Sequence, residues 1–115
     1  MSATPACELL VVTTTVANAA QARALARVAV EQGLAACVQL SHIESVYRWQ
    51  GVLQHDDEVR VVFKTTREAY AALQACLQAH HPYELPAIHA VAVAHASADY
   101  ARWVLEGVQP PGGSP

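Results

Sequence analysis
Two long extended stretches, residues 34–49 and 51–66, stand back to back around Trp49-Gln50-Gly51, and no other feature restricts the fold of this chain so sharply. The second contains EVRVVFK, residues 58–64, whose apolar alternation is that of a strand with one wetter face. Joined by the Trp-Gln-Gly turn, the two predict an antiparallel hairpin. At about a dozen residues per arm it is longer than the usual strand of five or six, so it must overhang the small sheet beneath it. Something has to cover that overhang.

The flanking segments supply the rest of the sheet. CELLVVTTTV, residues 7–16, is brief and rich in Val and Thr, which predicts a buried strand rather than a helix. Asn18 then stands where an N-cap belongs, Ala22, Leu25, Ala26 and Ala29 recur at helical spacing, and Gly33 sits where the C-terminal cap belongs. Arg23, Arg27 and Glu31 line the opposite face, so residues 18–32 predict an amphipathic helix. Thr65 and Glu68 form a T-x-x-E capping box ahead of Tyr70, Leu73, Leu77 and His80, a second helix that must end before Pro82. AIHAVAVAHA, residues 87–96, is apolar at nearly every position and predicts a fourth strand buried on both faces. Ser97 caps a short third helix with Tyr100, Trp103 and Val104 on one face and Gly107 after it. The order predicts an α+β, ferredoxin-like (βαββαβ) antiparallel sheet with helices on one face, a long central hairpin and an extra C-terminal helix. Residues 1–107 are expected to form a single domain, and residues 108–115 a disordered Pro/Gly tail.

Composition narrows the setting. Hydrophobic residues make up 53% of the 115 positions, enough for one core without staples. Cys7, Cys37 and Cys76 are an odd number, far apart, with no CxxC pair, which points to a reducing compartment and a cytoplasmic protein. No apolar run approaches the roughly eighteen residues of a membrane span, and residues 1–5 lack the basic start of a signal peptide. A net charge of −3, with seven Lys and Arg scattered singly, leaves no basic face for nucleic acid. Charged residues are only 15%, so another subunit is expected to cover some apolar surface.

Little in the chain reads as catalytic. There is no Gly-rich phosphate loop, no GxSxG and no HExxH, so no enzyme is expected. AHHPYELPAI, residues 79–88, admits two readings. Pro82 and Pro86 make a rigid turn, while His80, His81 and Glu84 offer the nitrogen and oxygen donors of a divalent-ion site. Tyr47 and Trp49 flank the hairpin tip, either as contacts for a neighbouring chain or as hairpin packing. Lys64, near a strand end, is either an anion ligand or a solvated cation. Cys37 reads as a small core residue, and His42, His55, His89 and His95 as isolated imidazoles.

Taken in order, GLAACVQL, SVYRWQG, FKTT, HHPYELP and DYARWV resemble the CutA divalent-cation tolerance family from about Leu9 to Val104. The resemblance implies a ferredoxin-like protomer in a homotrimer whose hairpins pair across subunits, which would cover the overhang. It implies a non-enzymatic role in tolerance of copper or other divalent ions, with no required cofactor, as a regulatory or interaction platform. It also implies likeness in plan to the PII signalling proteins, hence an alternative as a small-molecule or nucleotide sensor with Lys64, Tyr83 and Glu84 lining an inter-subunit crevice. The family positions proposed to ligate copper fall here on Thr13, His80 and Ala87, of which only His80 can bind a soft ion. Any copper binding by His80 and His81 is therefore expected to be weak.

Overall fold
A computed structural model describes residues 8–109. It contains β1 (Leu9–Val16), α1 (Ala19–Glu31), β2 (Cys37–Trp49), β3 (Val52–Thr66), α2 (Tyr70–His80), β4 (His89–Ala92) and α3 (Ala98–Gly107). The four strands form one antiparallel sheet in the order β2-β3-β1-β4, the ferredoxin-like topology that the element order predicts.

Alternation along β1 sends successive residues to two cores. Leu10, Val12 and Val16 join Leu25 and Ala29 of α1, Leu73 and Leu77 of α2, and Val59, Val61 and Phe63 of β3 in the larger cluster. Leu9 instead joins Ala101 and Val104 of α3 with Val108. Val108 and Gln109, expected in the tail, are thus part of the packed structure: Val108 is buried, and the Gln109 N–H donates to the Gly33 carbonyl at 2.7 Å. The remainder of the expected tail, residues 110–115, and Cys7 lie outside the described residues.

Local signals hold at the start of α1, where Asn18 Oδ1 accepts from the Gln21 N–H at 2.9 Å. The expected capping box of α2 does not form. Thr65 is drawn inward, where its hydroxyl donates to the Leu34 carbonyl at 2.7 Å, and Thr66 Oγ1 accepts from the Ala69 N–H instead. Ser97 occupies the N-cap of α3 without a side-chain bond, and Gly107 is the last residue of that helix rather than the residue beyond it.

The largest departure is β4, which spans His89–Ala92 instead of residues 87–96 and has all four residues exposed. Its flanks leave the sheet, Ile88 toward the larger cluster and Val93 and Ala96 toward the smaller one. Among the described residues it pairs with β1 alone, so it is an edge strand, and its side chains are exposed. An all-apolar strand predicts burial on two faces, but the sequence does not say by whom.

The hairpin is as long as expected. β1 follows β3 only as far as Val16↔Val59, and beyond this Ile43↔Glu58 through Trp49↔Val52 form a two-stranded ribbon. At roughly 3.4 Å per residue those seven pairs project roughly 24 Å, which accounts for a molecule measuring 52 × 28 × 21 Å. The turn places Gln50 at φ 51° and Gly51 at φ 79°. Two consecutive positive φ values match the right-handed twist of the arms and allow a two-residue connection.

Candidate functional site
The base of the ribbon faces the segment that leaves α2. Pro82 bars helical geometry from the residue before it, so His81 turns extended at φ −74°, ψ 135° and ends the helix. Its ring is held from both sides: Nδ1 accepts from the Tyr83 N–H at 3.1 Å, and Nε2 lies 3.0 Å from Thr14 Oγ1. Because Nδ1 accepts, the hydrogen of the neutral ring sits on Nε2 and is donated to Thr14. Burial pushes the imidazole pKa below its ordinary value, which keeps the neutral form in place.

Two residues on, the Tyr83 hydroxyl donates to Glu58 Oε2 at 2.6 Å. Glu58 belongs to β3, and as a residue it is only 8% exposed. Burial and then the adjacent Glu58 carboxylate push the Tyr83 phenol well above its ordinary range, so it remains a donor. Sequence reasoning passed over Glu58. Its signal was an acid directly preceding Val59, Val61 and Phe63, inside a strand rather than in a turn.

Ribbon and elbow enclose a cleft of ≈ 870 Å³. It brings together Tyr47, Trp49, Tyr83 and Glu84 of the expected set with Glu44, Glu58 and Ala87. Tyr47 is fixed there by donating to Asp56 Oδ2, and that bond is the main reason its phenol pKa is raised. Lys64 is not in this cleft. It pairs with Val11 and Cys37 in the sheet and lines a separate depression with His95 and Tyr100.

The residues present do not fit a tight metal site. His81 has both ring nitrogens engaged, and His80 Nδ1 donates to the Cys76 carbonyl at 2.8 Å. Thr13, at a family ligand position, lies in the sheet between Val62 and His89. Among the described residues no three His, Cys, Asp or Glu side chains are grouped to hold an ion. Two further readings change. Cys37 is half-buried and outside the core clusters, whereas Cys76 is buried. His55 is not isolated, since its Nε2 lies 2.8 Å from Glu44 Oε1 across the ribbon.

Residues 10–107 match the family model described as CutA1 divalent ion tolerance protein. The chain belongs to this CutA1 family. It is 39% identical over 97 residues to the divalent-cation tolerance protein CutA of Thermus thermophilus, covering 84% of this chain and 94% of the relative. The CutA of Citrobacter koseri is 38% identical over 98 residues, covering 84% and 85% of the two chains. Among solved structures, CutA of Synechococcus elongatus superposes with a TM-score of 0.87 at 41% identity, over 90% of this chain and 92% of that one. CutA1 of Oryza sativa gives 0.87 at 31% identity, over 92% and 98%. The span matched by the family model includes the ribbon, the elbow and α3. The names of these relatives state divalent-cation tolerance.

Proposed function
We propose that this protein acts in divalent-cation tolerance as a cytoplasmic, non-enzymatic homotrimer, a regulatory or interaction platform in which the ribbon of one copy lies on the next. The carrying observation is apolar surface on structure that one chain leaves unsupported: Val52 and Leu53 at the ribbon tip are 58% and 67% exposed, and Val91 on edge strand β4 is 60% exposed. A two-stranded ribbon is marginal in water by itself, and an apolar edge strand invites pairing. Light scattering in dilute solution should give three times the chain mass of 12.3 kDa; a stable monomer would sink the reading.

The non-enzymatic part is supported by the thiol–imidazole contact between Cys76 and His80, 3.8 Å apart. Burial raises the thiol pKa, the opposite of what an activated nucleophile requires. Copper binding is proposed to be weak and carried by His80, whose Nε2 faces away from the bond that Nδ1 makes. His80→Ala should remove most of that binding in isothermal titration with copper. The free thiols support a cytoplasmic setting. A PII-like nucleotide sensor gains less support, since Lys64, its expected anion contact, lies outside the larger cleft.

A further inference from the structure
The cleft between ribbon and elbow has a composition that selects a ligand class. We infer that it binds an organic cation of the alkylammonium type, seated against Tyr47, Trp49 and Tyr83 with its charge toward Glu44, Glu58 and Glu84. This goes beyond the assembly reading, which names no ligand.

Three observations carry it. The lining holds three aromatic rings and three carboxylates, and no Lys, Arg or His among the described residues. An anion would meet these carboxylates, of which Glu44 also holds His55 Nε2 at 2.8 Å, whereas a cation gains Coulombic attraction from the acids and attraction to the aromatic rings. The size suits an organic molecule. At ≈ 870 Å³ the cleft is of small-molecule dimensions, and its carboxylates are not among any group of three placed to hold an ion. Part of the wall is also oriented beforehand. Tyr83 is tied to Glu58 and Tyr47 to Asp56, so two of the three rings are oriented without a ligand. An ammonium with methyl or methylene groups uses both kinds of wall, and an inorganic ion uses only one.

Either a quaternary ammonium or a polyamine presents this chemistry. The test uses choline and spermidine as separate probes, with glutamate and inorganic phosphate as anionic controls. Trp49 and Trp103 are the two tryptophans of the chain, so a Trp103→Phe protein reports from Trp49 alone. Its fluorescence should change saturably with choline, spermidine or both at millimolar concentration, and with neither anion; the probe that binds identifies the source. Isothermal titration of the unsubstituted protein should give the same affinity, which guards against a fold disturbed at position 103. Glu44→Gln combined with Glu84→Gln should weaken binding about tenfold or more, the equivalent of about 1.4 kcal/mol. Absence of saturable binding by both cations, or equal affinity in the double variant, would overturn the inference. Light scattering on the same samples separates the outcomes, because a threefold mass without cation binding removes the ligand and leaves the assembly reading standing.

Discussion

Tyr83 brings its hydroxyl to a carboxylate that the fold has largely removed from water, and that one bond ties the elbow to the ribbon. Tyr83→Phe would leave Glu58 without this donor, at a cost of about 1–3 kcal/mol, to be read from urea unfolding at neutral pH. Alkali should act through the same pair. The folded phenol pKa lies above the ordinary 10.0, so the contribution is complete below about pH 10 and is lost as pH rises toward the folded value. Tyr83→Phe should flatten that alkaline decline; an unchanged slope would assign it to other groups. His81 works in the opposite direction. Its folded pKa lies below 6.5, so its contribution is present above about pH 6.5 and fades as pH falls through the folded value. Stability measured by urea between pH 7 and 5 should therefore decline, and His81→Asn, which keeps an acceptor for the Tyr83 N–H but does not titrate, should decline less.

At the level of elements, the turn after α1 shows how a local requirement and a distant one meet in one residue. Gly33 sits at φ 71°, where L side chains are strained, and a Cβ there would stand 2.9 Å from the Gln109 carbonyl oxygen. Gly33→Ala should therefore exceed the roughly 1–2 kcal/mol of left-handed strain alone, since the backbone of the C-terminal segment must also move. Thermal unfolding measures the sum, and a loss well under 1 kcal/mol would show that the segment yields freely. The glycine was legible in the sequence as a helix cap; its second duty was not, because Gln109 is far along the chain. The capping box failed for the same kind of reason. Thr65 fits the local motif, but a buried carbonyl of Leu34 competes for its hydroxyl and wins.

The whole molecule is uneven in its support. Two clusters hold the sheet against its helices, while the ribbon and β4 remain outside both. If other copies cover them, a charge placed there should oppose assembly and spare the protomer. Leu53→Lys with Val91→Lys should lower the light-scattering mass while far-UV circular dichroism stays constant. An unchanged mass would place the interface elsewhere.

Periodicity, turn residues and prolines were enough to order the elements, to size the hairpin and to end α2 at Pro82, because each depends on neighbours a few residues apart. The prolines also marked the HHPYE stretch as rigid, whereas Tyr83 and Glu84 were named as crevice residues only through the family resemblance. Local signals could not join Tyr83 to Glu58 or His81 to Thr14, contacts between partners 25 and 67 positions apart. Nor could they place Lys64 outside the cleft, expose β4 or occupy both nitrogens of His81. Hydrophobic pattern states that a surface is to be buried, and donor chemistry states that a group will be paired. Which partner does either is decided by the register of the strands and the path of the elbow, quantities that exist only once the chain has folded.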